Sequence, residues 1–600
     1  MEAKKRSEID DIFKWNLEDM YATIDQWQQD VTFIEHSCAE IAAMQGTLTT
    51  GEALATCLNK VFDVGKKMAL VEVYATMKLH EDANIAESQR LAGAAQGLYV
   101  KYSAATSFIT PEILQHSQET VLDFIATTES LAVYDHYLKN VLREKAHVLS
   151  TEVEAVLANA GEITSAPQTI YEMLDSADMK FGIITDENGN AVEVTHGRYG
   201  ALRQSLDRRV RKDAFETYYA SYEKLINTIS TMYAASVKKD NFLAKTRKFE
   251  SALDASLAGS NIPTSVYTQL IESVRAHLPS MHRYYAIRKQ VLGLENLHMY
   301  DMSVPLVREA DMQISYQQAK EKLVEGLAPL GKTYIADMQA GMESGWIDVY
   351  ENEGKHSGAY SWGTSSSHPY VLLNYENKLY DMFTLAHEMG HAMHSYYSWG
   401  NQPEPYVYYT TFLAEVASTV NETILIEHML KTTTDPKMRA YLIVEYIDQF
   451  RGTVFRQTMF AEFEKLAHEM ADRGEPLTVE SLCAIYGKLS QEYAGPGVII
   501  DSQIAMEWAI VPHFYNAYYV YQYATGYAAA IAFSKKLQTD NPQALEDYLG
   551  FLKSGSSAYS IDILKKAGVD MSTPEPVNAA LSVFEGLVAE LEQMQKDGLL

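Results

Sequence analysis

His387-Glu388-Met389-Gly390-His391 sets two imidazoles four residues apart, with a carboxylate next to the first. On a helix of 3.6 residues per turn, positions i and i+4 leave the same face about 6 Å apart, so both histidines can bind one tetrahedral metal ion. Glu388 leaves the helix on another bearing, which suits a general base acting on the water that a metal activates better than it suits a ligand. With 17 histidines in 600 residues, the pattern is expected by chance about 0.04 times per chain, which makes a real site the better reading. A zinc site of this kind needs a third protein ligand and an open fourth position. Glu415 is the best candidate for that ligand. Glu422, two helical turns further on, faces the same way and can accept the N–H of a ligand histidine. His394, seven residues after His387, competes for such a supporting role.

These residues need helices to hold them. Met382, Phe383, Ala386, Met389 and Met393 recur at spacings of three and four, with Asp381 before them as the expected N-cap. Phe412 to Glu422 lacks Gly and Pro, and its apolar pattern continues through Ile424, Leu425 and Met429, so a second helix is expected to carry Glu415. His468-Glu469-Met470-Ala471-Asp472 starts like the first motif but ends in aspartate, and reads as ordinary helix surface. Phe181–Thr185 and Ala191–Thr195 flank an Asn188-Gly189 turn and predict a β-hairpin. A second β region is expected across Trp346–Tyr350, Gly358–Trp362 and Tyr370–Tyr375, just before the histidine helix. Its edge could pair with an extended peptide through main-chain hydrogen bonds. Most of the remaining chain has helical spacing, as at Leu91, Ala95, Leu98 and Tyr102.

Composition sets the outer bounds. Hydrophobic content of 47% and charged content of 22% are those of a globular protein, and no apolar run is long enough to span a membrane. The start of the chain lacks the apolar core of a secretory signal. Cys38, Cys57 and Cys483 are few and far apart, which predicts reduced thiols in the cytoplasm and no disulfide frame. A net charge of −29 argues against a nucleic-acid binder. Oligomeric state is not legible in this pattern.

The run Gly354-Lys355-His356-Ser357-Gly358-Ala359-Tyr360, then His368-Pro369-Tyr370, the histidine motif and Phe412-Leu413-Ala414-Glu415 resemble the oligoendopeptidase F branch of the thimet oligopeptidase family of zinc metallopeptidases. The likeness runs from Phe13-Lys14-Trp15-Asn16-Leu17 to Ala567-Gly568-Val569-Asp570-Met571. It implies a mainly α fold with a deep substrate channel, to which the length and the lack of a Ser/Gly/Pro-rich linker add the expectation of one body with two lobes, and the residue pattern a small β-sheet beside the zinc helix. The expected division is an N-terminal helical region over 1–195 with the hairpin near its end, and a zinc metallopeptidase catalytic domain over 196–600. The resemblance further implies one zinc ion per chain held by His387, His391 and Glu415, with Glu388 as catalytic base and Glu422 in support. In Pro512–Tyr523, whose spacing is shorter than in the thimet branch, His513 and Tyr521 match the residues that hold the scissile carbonyl oxygen. Gly358, Ala359, Tyr360, His368, Tyr370 and Tyr518 match substrate contacts.

The expected activity is hydrolysis of internal peptide bonds in short oligopeptides, by water and without an acyl-enzyme. Two alternatives stand beside it: a zinc carboxypeptidase of related helical fold, and a non-catalytic peptide-binding scaffold with a structural zinc. A carboxypeptidase should show a dedicated cation for the terminal carboxylate, which the sequence does not reveal. A structural site has no need of Glu388.

Overall fold

The computed structural model describes residues 4–307, 313–539 and 541–600. Met1–Ala3, part of the stretch behind the expectation of no secretory signal, lie outside the described residues. The fold is mainly helical. The strands are β1 (Ile183–Thr185), β2 (Ala191–Glu193), β3 (Leu297–His298), β4 (Ile347–Asp348), β5 (Tyr360–Trp362), β6 (Tyr370–Leu372) and β7 (Val498–Ile499). The chain divides into two compact units. One comprises Met1–Ala146, Met312–His428 and Phe533–Val569, the other His147–Asp311, Met429–Ala532 and Asp570–Leu600.

In the first unit, helices Ile24–Ala42, Gly51–Glu81 and Ala86–Thr106 pack around Trp27, Ile34, Val71, Ala75 and Leu98. The periodicity explains this: Trp27, Val31, Ile34, Cys38 and Ile41 recur every three or four residues and all turn inward. Thr23 and Thr50 cap the first two helices by accepting the N–H groups of Gln26 and Ala53. The Trp27 indole N–H donates to Val71 O at 3.0 Å, so its burial leaves no orphan donor.

The expected β region forms, shorter than its sequence pattern. β6 lies between β4, to which it runs parallel, and β5, to which it runs antiparallel. All three β6 residues are buried, and Tyr370 and Leu372 join the helical core. The start of the chain straps this sheet, with Val349 N–H bonded to Phe13 O at 2.9 Å and Asn16 N–H to Gly345 O at 2.7 Å. Beneath the strap lies a buried charge network. Asp348 receives Lys355 Nζ at 2.7 Å and Arg6 at 2.6 Å. Lys355 also donates to Tyr350 O at 2.7 Å and Leu373 O at 2.6 Å. Arg6 reaches Glu81, which accepts the Trp15 indole N–H at 2.9 Å. Burial alone would push the Asp348 carboxyl up, but Lys355 and Arg6 hold it below the usual carboxylate range.

The second unit contains the expected hairpin, with Ile184 opposite Val192 and Gly189 in the left-handed region at φ 84°. It also contains a short parallel pair, β3 with β7, which the sequence reading did not anticipate. Its core is rich in tyrosine: Tyr219, Tyr222, Tyr233 and Tyr267 are all fully buried. Asp301 is wholly buried and held by Arg208 and Arg211, each at 2.8 Å. His468 corrects the expectation of helix surface. It is 2% exposed and its Nδ1 bonds Glu464 O at 2.8 Å.

Lys355→Met should destabilise the first unit by about 3–5 kcal/mol, because the Asp348, Tyr350 and Leu373 carbonyls lose a donor and the Asp348 carboxylate loses one of its two cations in a dry environment. Urea denaturation measures this. A midpoint equal to that of the unmodified chain would show that the network contributes nothing.

Candidate metal and catalytic site

The histidine motif lies on the helix Leu379–Asn401, and Glu415 on the helix Thr411–Thr432. Asp381 is in the first turn of its helix and not at the N-cap, which Lys378 occupies. From there its carboxylate reaches back to accept the N–H groups of Glu376 and Lys378, each at 2.8 Å. The expected capping is therefore achieved from three residues further along, as a first-turn acid can do.

How closely the two helices approach decides whether Glu415 can join the histidines. A Cβ on Gly390 would stand 2.5 Å from Ser418 Cα and 2.8 Å from Ala417 O, so backbone meets backbone at this crossing. Asn421 sets the register: its side-chain amide donates to Ala386 O at 3.0 Å and accepts the Tyr334 hydroxyl at 3.0 Å. The sequence reading missed both Gly390 and Asn421. A glycine inside a helix, between two candidate ligands, was the available signal.

The result is a compact triangle of ligand atoms. His387 Nε2 is 3.1 Å from His391 Nε2, and Glu415 Oε2 is 3.4 Å from the first and 3.5 Å from the second. Ligands on a tetrahedral zinc with bonds of about 2.0–2.1 Å are separated by about 3.3–3.4 Å, so the triangle has the size the metal requires. Among the described residues no fourth His, Cys, Asp or Glu completes the group, and all three are half-buried, which leaves one side open. His387 Nδ1 donates to Glu422 Oε1, so Nε2 presents its lone pair toward the triangle.

The electrostatics favour a cation here. Burial opposes charge on His387, yet hydrogen bonds to Glu415 and Glu422 raise its pKa well above the ordinary histidine value. Burial likewise opposes ionisation of Glu415, but bonds from His387 and His391 hold its carboxyl far below the usual range. A divalent ion would enter the same negative field. Glu388 differs. Burial pushes its carboxyl up while His387 and His391 pull it back. It is 6% exposed, and Oε2 has no hydrogen-bond partner among the described residues.

His394 is wholly buried, stacked 3.7 Å from the Tyr409 ring and 4.9 Å from Phe551. Burial, then His391, push its pKa down to about 3, so it stays neutral. Its surroundings are those of a packing residue, and the bond to a ligand histidine is made by Glu422 instead.

The residues matched to substrate contacts divide by exposure. Gly358 is exposed at φ 83° with its carbonyl bonded to Asn374, and Ala359 is half-buried. Tyr360, on the edge strand β5, bonds His80 Nδ1 at 2.7 Å. His368 is stacked on Trp346 and bonded to Asp19 at 2.9 Å. Tyr370 is fully buried in the central strand and Tyr518 is 3% exposed, so neither ring is accessible.

In the second unit, Pro512–Tyr515 forms a 3₁₀ turn and a new helix starts at Tyr521, with Tyr518 between them at φ 59°. His513 is exposed, and Tyr519 and Tyr523 are half-buried. Their rings form one cluster: His513 is 6.2 Å from both Tyr519 and Tyr523, which are 5.5 Å from each other. Tyr521 turns the other way, 2% exposed and 5.1 Å from the buried Tyr267 ring. Tyr519 was not singled out from the sequence, where it is one of 40 tyrosines.

Comparison with known proteins finds relatives along nearly the whole chain. The model of peptidase family M3 matches residues 201–583, and that of oligopeptidase F matches 112–181. Oligopeptidase PepF of Bacillus subtilis is 42% identical over 98% of this chain and 88% of its own length. An oligoendopeptidase F homolog of Lactococcus lactis is 40% identical over the whole of both chains. The crystal structure of oligoendopeptidase-F from Enterococcus faecium superposes with a TM-score of 0.76 at 39% identity, covering 96% of this chain and 99% of that one.

Gly390→Ala should weaken zinc binding by roughly 10- to 100-fold, because the added methyl forces the two ligand helices apart. Chelator competition measures the affinity and circular dichroism checks the helices. Unchanged affinity would mean that this crossing does not set the reach of Glu415.

Proposed function

Because the chain belongs to peptidase family M3, we propose that it is a zinc-dependent endopeptidase hydrolysing internal peptide bonds of short oligopeptides, with one zinc per chain on His387, His391 and Glu415. The supporting observation is the open three-atom triangle beside the buried Glu388, whose Oε2 has no hydrogen-bond partner among the described residues. A closed structural site would use four ligands and no base.

Each residue then has a task. His387, His391 and Glu415 hold the ion, which when bound supplies Lewis acidity toward the peptide carbonyl and the attacking water. Glu422 keeps His387 in the tautomer that ligates through Nε2. Glu388 Oε2 takes a proton from the water and carries it to the leaving amine. The half-buried edge strand β5, with Gly358, Ala359 and Tyr360 at its start, is the side of the sheet on which an extended peptide could pair whatever its side chains. Tyr370 and Tyr518 are assigned to the core instead. The proposed catalytic residues all fall within 196–600, which we take as the catalytic region. No helix among the described residues is long and apolar enough to cross a membrane. The cytoplasmic assignment rests on three separate free thiols.

For the carbonyl oxygen, the side chains that support the reading best are His513, Tyr519 and Tyr523. They share one accessible cluster, while Tyr521 is committed to the core. Neutral donors held in place before the reaction stabilise an oxyanion as its charge develops.

Mass-spectrometric mapping of products from an unbiased peptide library tests the activity. Internal cuts that stop when zinc is chelated and resume when it is restored are expected, and release of single C-terminal residues alone would replace the reading with a carboxypeptidase. Glu388→Gln should keep its zinc and lose about 10²–10⁴-fold in turnover, whereas Glu415→Ala should lose the metal. Release of zinc by the first and not the second would invert the roles.

The tyrosines separate in the same assay. Tyr523→Phe should lower kcat by about 10²-fold with little change in KM, and Tyr521→Phe should leave kcat within about threefold while altering stability. The reverse order would return the role to Tyr521.

A further inference from the structure

Between the 3₁₀ turn Pro512–Tyr515 and the helix Tyr521–Leu537, the chain passes through Tyr518 at φ 59°, a left-handed conformation that bulky side chains disfavour. This residue decides the outcome for its neighbours. Tyr519 emerges on the His513 side, while Tyr521 enters the core against Tyr267. A conformation of this kind persists only where its surroundings over-determine it. The Tyr518 ring is held 4.7 Å from His468 and 5.5 Å from Tyr267. Among the described residues its backbone N–H has one acceptor, Glu464 Oε1 at 3.0 Å.

Glu464 is an unusual acceptor. It lies on the helix Arg456–Asp472 with no exposed surface, and its second oxygen, Oε2, has no hydrogen-bond partner among the described residues. Among the described residues no cation pairs with it. Burial raises its carboxyl well above the usual range, and the Tyr518 N–H only partly offsets this, with Asp240 adding to the rise. The neighbouring His468 bonds the Glu464 carbonyl and lies 3.4 Å from Asp240. A carboxyl group in a dry core without a counter-ion is costly compared with an apolar side chain of the same size. Packing alone does not explain why it is there.

We propose that Glu464 is a positioning residue for the reaction: by accepting the Tyr518 N–H from inside the core it fixes the left-handed turn that presents Tyr519, with His513 and Tyr523, on the accessible face. The proposal rests on the reading that this face stabilises the carbonyl oxygen. What the turn needs is an acceptor of the right length at this point, whether or not it carries a charge. Glutamine supplies one and methionine does not.

The test uses the full-length zinc enzyme with a defined peptide substrate. Glu464→Met should lower kcat by about 10- to 100-fold, as a displacement of the order of 1 Å at a reacting group does, with zinc content unchanged and KM within about twofold. Glu464→Gln should return kcat to within about threefold of the unmodified enzyme and keep the Tyr518 amide protected from hydrogen exchange. In a Tyr523→Phe background the further loss from Glu464→Met should shrink to about twofold, because both changes act on one device. Unmodified kcat in Glu464→Met, a loss in Glu464→Gln as large as in Glu464→Met, or full additivity with Tyr523→Phe would each overturn the positioning role. If Glu464→Met does not fold, Glu464→Gln still decides: retained turnover supports the role and a tenfold loss rejects it. Failure of the underlying reading looks different. Then His513→Ala, Tyr519→Phe and Tyr523→Phe all keep their kcat, and the role of Glu464 falls with that face.

Discussion

The contact of Gly390 with the backbone of Ser418 is the constraint on which the metal site depends. A histidine pair on one helix gives two ligands at no conformational cost beyond the helix itself, but the third must come from elsewhere and arrive within a few tenths of an ångström. Only backbone-to-backbone approach brings so short a side chain as Glu415 against both imidazoles. Asn421 then stops the helices from sliding, by tying one to the carbonyl just before His387. Glu422 can bond the far nitrogen of that histidine only because the crossing has this register.

Much of this site was legible in the sequence for a simple physical reason. Ligands at i and i+4, and the apolar spacing that puts a helix under them, are local properties, and the same holds for the helix carrying Glu415. The crossing distance is not local, so Gly390 and Asn421 escaped notice, although a glycine between two ligands was a visible clue. Asp381 was read as a cap and is one, from the third position of the helix. It acts from inside the helix and not from the N-cap, a difference of the few residues by which local sequence leaves element ends uncertain.

The aromatic segment was harder. Helical spacing would order Tyr519, Tyr521 and Tyr523 by rotation about one axis, but a 3₁₀ turn and a left-handed residue interrupt that axis before the helix begins. The bearing of each ring then depends on an acceptor at Glu464, 54 residues earlier in the chain. His468 was misjudged for the same reason. Its burial depends on Asp240 and Tyr518, which no window around the histidine contains. The hairpin and the short sheet were legible from turn chemistry and alternation, whereas the β3–β7 pair joins two two-residue strands about 200 positions apart and carries no sequence signal.

The strap formed by the start of the chain bears on how the protein comes to be made. Arg6 and its partner Asp348 are 342 residues apart, so on the ribosome the segment around Arg6 waits roughly 15–70 s for the segment it will bind, at ordinary rates of synthesis. Throughout that interval Trp15, Leu17 and the rest of this first stretch can rest on the helices that follow them, but the sheet and its buried lysine cannot form. Long-range closure of this kind is slow to nucleate and is reached late. The strands that precede the histidine helix are therefore completed by residues made 342 positions earlier, and the strapped sheet closes only after both sides of that long loop have met.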